Sequence, residues 1–338
     1  MPFHAPEPSR MTEFALHDRG LASAKIFRPL GRGAGSKANS KVRVEDLLKV
    51  NDPFLGEIKL TVGAFYPVGV KEEDLLLVLL GLAGLTESAP NLRTRMVTVG
   101  APGHGVAVKK MRVEEDCLPH DIYEVKATPW LILKELSADP SYHPSADAYA
   151  ELEPRLKRLS WISYSATGVK GNGRWAQGAS AMLSFSMEED GVVVSFNERL
   201  ARVILGVPDP ENPGLRPKRW FAKISLTERF SLKGDVARIL HRLFSVWVDD
   251  PMTKPRRGRR GPAPEALTVN VDTLVEHVYG SDEAPLRTRQ YRAKTVRDAL
   301  AEVGSLEKWS VEIGPKGRQV TVVRLPQKTG IQQTRMAL

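Results

Sequence analysis

One helical segment constrains this chain more than any other, because its two halves need opposite surroundings. Residues 288–304 read TRQYRAKTVRDALAEVG, with Thr288 suited to cap the first turn and Gly304 suited to end the helix. At about 100° per residue, four apolar side chains fall on one face. They are Val296, Ala299, Leu300 and Val303. The second half therefore predicts a buried stripe, and the first half predicts a polar end that projects beyond the domain body.

Cationic side chains are concentrated in and just before the polar half. They are Arg287, Arg289, Arg292, Lys294 and Arg297. In a helix-turn-helix the N-terminal residues of the second helix enter the major groove of DNA. On the helical wheel Gln290, Lys294 and Arg297 lie away from the stripe, so they suit contacts with base edges. Arg289 and Arg292 lie nearer the stripe and suit the phosphate backbone. An ordinary solvated helix face is the alternative.

The elements on either side of this helix predict a winged helix-turn-helix. Helices at 231–248 and 270–280 precede it, and a hairpin at 308–325 follows, with its turn at Gly314-Pro315-Lys316-Gly317. Lys316 and Arg318 in this wing suit contact with the DNA backbone or the minor groove.

A separate basic run lies between the first two of these helices. It contains Lys254, Arg256, Arg257, Arg259 and Arg260. Such a run either follows the phosphate backbone or is a mobile insert with only a diffuse effect, and the sequence leaves both open.

A similar order of elements occurs earlier in the chain. Helices at 71–85, 128–137 and 145–160 precede a hairpin built from strands at 161–167 and 180–187. Cations on the third helix and in the hairpin turn give a thinner candidate DNA-binding set, and dimerisation is the other role considered. The set is Arg155, Lys157, Arg158, Lys170 and Arg174.

The predicted fold class is therefore α+β, with two tandem winged helix-turn-helix domains. The second domain is expected to be the main DNA-reading domain. The predicted segments are a mobile N-terminal segment (1–40), the first domain (41–190), the second domain (191–326) and a C-terminal tail (327–338).

The charge distribution favours a polyanionic partner. The 338 residues carry a net charge of +9. Residues 201–338 hold 25 Lys and Arg against 15 Asp and Glu, a net of +10, whereas residues 1–200 hold 24 against 25, a net of −1. Nucleic acid, here double-stranded DNA, is the usual partner of such a basic half. A basic protein without such a partner is the alternative.

Other classes of protein have little support in the sequence. One cysteine, Cys117, allows neither a disulfide framework nor a cysteine zinc cluster, and the apolar run at 75–85 is shorter than the ~18 residues of a membrane span. A cytoplasmic protein with no membrane partner, no metal and no cofactor is expected. No catalytic constellation is evident, so an enzyme is not expected. A DNA-processing enzyme that uses Tyr291 as a nucleophile is kept as an alternative.

Several segments together resemble the iteron-binding replication initiators (C proteins) of IncQ-type broad-host-range plasmids, a winged-helix initiator family. The resemblance is carried by LFSVWVDD after DVARILHR, then VDTLVEHVYG, RQYRAKTVRDAL and KWSVEI. KIFRPLGRGAGSK and EEDLLLVLLGLAGL near the N-terminus are similar as well.

The resemblance implies binding to directly repeated origin sites (iterons) and help in opening a neighbouring A·T-rich region. It also implies recruitment of the plasmid-encoded helicase and primase, with no nucleotide hydrolysis by this chain. A homodimer is considered. A winged-helix transcriptional regulator is the alternative function.

Overall fold

The structure is a computed structural model, and it describes most of the chain in several stretches. The described residues are 12–30, 44–52, 56–66, 68–85, 92–98, 121–139, 141–170, 173–197, 200, 221–248, 266–280 and 284–325. The basic run at 254–260 and the predicted C-terminal tail lie outside them, as does the predicted boundary at residue 40.

Helices and strands alternate irregularly through the described residues and make a mixed α and β protein, in which every strand pair is antiparallel except β2 with β5. The helices are α1 (Arg19–Ser23), α2 (Val70–Ala83), α3 (Pro129–Glu135), α4 (Ala146–Ser160), α5 (Leu226–Ser231), α6 (Asp235–Trp247), α7 (Val271–Tyr279) and α8 (Leu286–Gly304). The first eight strands are β1 (Phe14–Asp18), β2 (Phe27–Arg28), β3 (Val44–Asp52), β4 (Gly56–Ala64), β5 (Val68–Gly69), β6 (Leu92–Thr98), β7 (Asp121–Ala127) and β8 (Ile162–Lys170). The others are β9 (Gly173–Ala181), β10 (Leu183–Glu188), β11 (Gly191–Phe196), β12 (Phe221–Ser225), β13 (Ala266–Asn270), β14 (Trp309–Ile313) and β15 (Gln319–Arg324).

The C-terminal unit, residues 221–325, has the order helix, strand, helix, helix, hairpin from α6 to β15. Three of its strands pair in the order β13-β15-β14, and the fourth, β12, pairs with β1. The predicted helices at 270–280 and 288–304 and the hairpin at 308–325 are confirmed as elements. Gly317 has φ 63°, which only glycine adopts without strain, and its N–H donates to the Gly314 carbonyl at 2.8 Å. The turn was therefore readable from its glycines.

Two features of the C-terminal unit differ from the sequence prediction. The segment at 231–248 was expected to be one helix, but α5 ends at Ser231 and α6 begins after Gly234. The backbone is extended at Leu232 and at Gly234, which separates the two helices. β13 was not predicted, because its side chains alternate only between exposed and half-buried and so give a weak signal.

The N-terminal unit, residues 44–197, contains a sheet with the strand order β10-β11-β7-β6. The predicted hairpin of strands at 161–167 and 180–187 is confirmed in its first strand but wrong in its second, because the strand that returns along β8 is β9. β8 pairs with β9 and with β4, in a separate sheet of order β3-β4-β8-β9. β10 instead turns back onto β11, with Glu188 opposite Gly191.

The predicted domain boundary after residue 190 falls in the turn of this β10–β11 hairpin. β11 was expected to open the second domain, but it lies between β10 and β7 and all six of its residues are buried. The strand therefore belongs to the N-terminal unit. Its three-strand order β7-β11-β10, around α3 and α4, repeats the order β13-β15-β14 of the C-terminal unit.

The N-terminal segment was predicted to be mobile over residues 1–40, and the structure contradicts this for residues 12–30. β1 pairs with β12 along its length, from Phe14 opposite Ser225 to Asp18 opposite Phe221. Several apolar side chains of this segment are buried. They are Ala15, Leu21, Ala22, Ala24, Ile26 and Phe27. The polar composition of the segment concealed a strand whose partner lies far along the chain.

A buried charge cluster joins the two units. It consists of Glu73 and Asp74 near the start of α2 and of Arg229, Arg238 and Arg242 from α5 and α6. Arg229 contacts Glu73 at 2.7 Å and Asp74 at 2.6 Å. Arg238 contacts Asp74 at 2.6 Å, and Arg242 contacts Glu73 at 2.5 Å. Burial alone would lower the pKa of Arg229, but the two carboxylates outweigh burial and raise it, so its guanidinium stays charged.

Arginine side chains also fix the N-terminal segment against the C-terminal unit. Arg242 donates to the carbonyl oxygens of Ala22 and Ala24, at 2.5 and 3.1 Å. Arg19 donates to the carbonyl oxygens of Phe221 and Val246, at 3.2 and 3.0 Å. Ala22 lies in α1 and Val246 in the last turn of α6, where the carbonyl groups of a helix lack partners within the helix. The segment is held by the same arginine that contacts Glu73.

We predict that Arg229→Ala lowers the free energy of unfolding by about 3–5 kcal/mol, because it leaves buried carboxylates without a cation. Urea denaturation of the two proteins at pH 7 measures the difference. Lys233→Ala, at an exposed position a few residues away, is the control and is expected to change stability by less than about 0.5 kcal/mol. A loss below about 1 kcal/mol for Arg229→Ala would show that the cluster is dispensable.

Candidate nucleic-acid interface

α8 is anchored by its second half, as its apolar spacing predicted. Val296, Ala299, Leu300 and Val303 are all buried, and they belong to one core with apolar residues of α6, α7, β14 and β15. The helix begins at Leu286, two residues before the predicted cap Thr288. Its first half therefore extends away from the packed stripe.

The C-terminal end of α8 is fixed to the start of α6. Glu302 accepts hydrogen bonds from the backbone N–H groups of Lys233 and Gly234, the latter at 3.2 Å. A Cβ atom at Gly234 would lie 2.9 Å from the Glu302 carboxylate, so a larger residue there would have to displace that carboxylate. The carboxylate of one helix thus caps the N-terminus of the other and fixes the angle between them.

The base of the β14–β15 hairpin is fixed by one carboxylate of α5. Glu228 accepts from the Trp309 indole N–H at 3.0 Å and from His241 Nε2 at 3.0 Å, and Lys308 Nζ lies 3.7 Å away. Burial alone would raise the pKa of Glu228, but the hydrogen bonds from His241 and Trp309 outweigh burial and lower the pKa to about 2. Burial lowers the pKa of His241, which therefore donates as a neutral imidazole.

Sequence reasoning missed Glu228 and Glu302 as the residues that position the helix and the hairpin. The tryptophan at the head of the hairpin was the available signal, since a buried indole N–H needs an acceptor. No pattern indicated which carboxylate would supply it, because α5 itself was not predicted.

The exposed face of α8 combines cationic, amide and aromatic side chains. We define it as Arg287, Gln290, Tyr291, Lys294 and Asp298, which are all exposed. Gln290 and Lys294 lie on it as the wheel predicted. The wheel places Arg287 near the centre of this face as well. Asp298 at the C-terminal end is its one acidic member.

Arg297 lies at the junction between α8 and the wing. It is half-buried, and its Nε donates to the carbonyl oxygen of Gly317 at 3.3 Å. This contact brings the exposed Lys316 and Arg318 of the wing turn beside the helix. Arg297 was predicted to contact bases, whereas here its Nε binds the wing.

Arg289 and Arg292 differ in their surroundings. The Arg292 guanidinium lies 4.9 Å from the ring centroid of Tyr279 and is half-buried between α7 and α8. Arg289, near the start of the helix, is exposed. The helical wheel had placed both residues towards the buried side, and of the two it is Arg292 that packs against Tyr279.

In the N-terminal unit, α4 occupies the place that α8 has in the C-terminal unit, but its charges are arranged differently. Proline usually kinks or breaks a helix, yet α4 contains Pro154 and is continuous from Ala146 to Ser160. Its first half carries the exposed carboxylates of Asp147, Glu151 and Glu153. Carboxylates at the end that would enter a groove repel phosphates.

The cations predicted for α4 lie in its last turns. Arg158 donates to Glu72 of α2 at 2.9 Å through Nε, and Lys157 Nζ lies 5.5 Å from the Trp161 ring centroid. Arg155 is half-buried. Arg158 therefore connects α4 to α2.

The other two residues of that candidate set lie elsewhere. Lys170 ends β8 and Arg174 is the second residue of β9, so both belong to the tip of the β8–β9 hairpin. This hairpin is in a different sheet from β10 and β11. The five residues of the set are thus spread over two parts of the unit.

The described residues contain no group of three or more His, Cys, Asp or Glu side chains placed to hold a metal ion. No helix in the described part of the chain has the length and hydrophobicity to cross a membrane. Lys254, Arg256, Arg257, Arg259 and Arg260 lie outside this part.

Comparisons with known proteins gave only weak structural similarities. No protein-family model and no curated protein matches the chain. A crystal structure of domains 2 and 3 of RctB, a selenomethionine derivative, covers 90% of this chain and 96% of its own, with 11% identity and a TM-score of 0.44. A second RctB domain 2–3 structure covers 91% and 97%, with 10% identity and a TM-score of 0.41. At TM-scores below 0.5, neither similarity indicates what this chain does.

We predict that the Glu228 carboxylate makes stability depend on acidity. Its pKa is about 2 in the folded protein and near 4.5 in the unfolded chain, so its contribution is complete above pH 4.5 and is lost as pH falls towards 2. Between pH 5 and pH 3 the wild type should lose about 2 kcal/mol more unfolding free energy than Glu228→Gln. Urea denaturation at both pH values measures this.

The control for that experiment is Glu312→Gln, which removes an exposed carboxylate of the same hairpin. It should keep the wild-type dependence on pH. Parallel curves for wild type and Glu228→Gln would contradict the role given to Glu228.

Proposed function

We propose that this chain is a non-enzymatic DNA-binding protein that initiates plasmid replication by binding double-stranded DNA in a sequence-specific way. The observation that carries the proposal is the exposed face of α8 beside the cationic wing turn, on a helix whose other half is buried. In this proposal both units are winged helices, and the C-terminal unit reads the DNA.

The residue types on this face match the groups that DNA presents. Arg287 and Lys294 can donate to the O6 and N7 acceptors of guanine, and Gln290 can bind the N6 and N7 edge of adenine. Lys316, Arg318 and Arg289 supply positive charge at the edges of the face, where the phosphate backbone would pass. The net charge of +10 in residues 201–338 supports this orientation.

The replication role rests on the resemblance to the IncQ-type initiators. The resemblance implies that the chain binds directly repeated sites, helps to open an adjacent A·T-rich region and recruits helicase and primase. DNase footprinting of the full-length chain across the origin of its own replicon tests this. Protected direct repeats of about two helical turns support an initiator, and a lone palindrome would support a transcriptional regulator instead.

We predict that Lys294→Ala weakens binding to the footprinted site about tenfold while changing binding to random-sequence DNA much less, because a base contact is lost. Fluorescence anisotropy at one fixed salt concentration measures both affinities. Lys59→Ala, which removes an exposed cation of the N-terminal unit, is the matched control and should leave the ratio unchanged. An unchanged ratio for Lys294→Ala would contradict the assignment of α8.

A further inference from the structure

We propose that Tyr291 is a specificity-determining residue, whose ring contacts the 5-methyl group of a thymine in the major groove. The inference rests on the proposed function, since it requires α8 to enter double-stranded DNA. It gives this tyrosine a reading role in place of the nucleophilic one considered from the sequence.

The exposure of Tyr291 is the first observation behind this inference. Its side chain is 68% exposed, the largest exposed fraction among the large apolar side chains of the described residues. Folding therefore leaves most of the ring in water, whereas Trp309 of the same unit is 2% exposed. A large aromatic ring left in water gains most when a partner covers it.

The position of Tyr291 is the second observation. It lies in the first half of α8, one turn from Arg287 and from Lys294, and directly after Gln290. At about 100° per residue, the four side chains span about 100° of the helix surface. The polar groups cannot approach base edges without carrying the ring into the same groove.

The unbroken helical backbone at this point is the third observation. The Thr295 hydroxyl donates to the Tyr291 carbonyl oxygen at 3.0 Å, one turn further on, within an unbroken helix. The ring is therefore presented from a fixed helical turn, with freedom only in its own side-chain torsions.

The chemistry of the major groove selects the ligand. Of the groups that base pairs present there, the thymine 5-methyl group is the apolar one, and apolar side chains contact it. The hydroxyl of Tyr291 could instead bind a phosphate, which is a different contact with no base preference. The two are separable, because the first needs the ring and the methyl group and the second needs the hydroxyl.

The test uses a duplex that the full-length protein selects from a random-sequence library. Each thymine of that duplex is replaced in turn by deoxyuridine, which removes only the methyl group. At one thymine, the replacement should lower the affinity of wild type and of Tyr291→Phe about fourfold each, because the ring no longer buries a methyl group there. Tyr291→Ser should bind the thymine duplex more weakly and show no loss at that position.

Tyr149→Ser is the matched control, because Tyr149 is 41% exposed on α4 of the N-terminal unit. It should keep both the affinity and the deoxyuridine response of wild type. Thermal unfolding of each variant separates a binding loss from a folding defect.

Three outcomes would overturn the assignment. One is a wild type that is indifferent to every deoxyuridine, and another is a Tyr291→Ser variant with the same loss as wild type. The third is a Tyr291→Phe variant that binds the thymine duplex more weakly than wild type while no deoxyuridine replacement changes the affinity. That result would show a contact between the hydroxyl group and a phosphate. Failure to select any duplex would instead refute DNA binding itself, and the assignment would fall with it.

Discussion

The contacts of two carboxylates with three arginines hold this structure together. Glu73 and Asp74 are buried near the start of α2, and Arg229 and Arg242 are fully buried opposite them. Buried ion pairs add little net stability compared with apolar packing, but separating the partners inside the protein is costly. The cluster therefore disfavours every arrangement that moves α2 away from α5 and α6. Because Arg242 also binds the carbonyl groups of Ala22 and Ala24, the cluster holds the N-terminal segment in place as well.

The proposed DNA-binding face depends on that arrangement through a short series of contacts. The cluster fixes α6, Glu302 fixes α8 to the N-terminus of α6, and Glu228 fixes the base of the wing. Arg297 then joins the wing turn to the helix. Every one of these contacts lies behind or beside the exposed face of α8. These contacts fix the position of the exposed face of α8 without covering it, so the face is accessible to a partner.

Local patterns predicted the parts of this account that depend on near neighbours. The stripe on α8 follows from its 3.6-residue period, and the wing turn follows from Gly314 and Gly317. The pairing of β1 with β12 was missed, because the partner of a strand is set by tertiary packing and not by its own sequence. The wheel gave the direction of Arg297 but could not show that the Gly317 carbonyl lies within its reach. For the same reason, the sequence could not show which groups Glu228, Glu302 and the members of the charge cluster contact.

The most direct test of the central claim is to ask which unit meets the DNA. A Cys117→Ser background carries a single new cysteine, either by Asp298→Cys on α8 or by Ala150→Cys on α4, both exposed positions. Each protein is coupled to an iron chelate that cleaves nearby DNA, and cleavage of the selected duplex is mapped. The account predicts localised cleavage from position 298 and little from position 150. Localised cleavage from position 150 alone would contradict it.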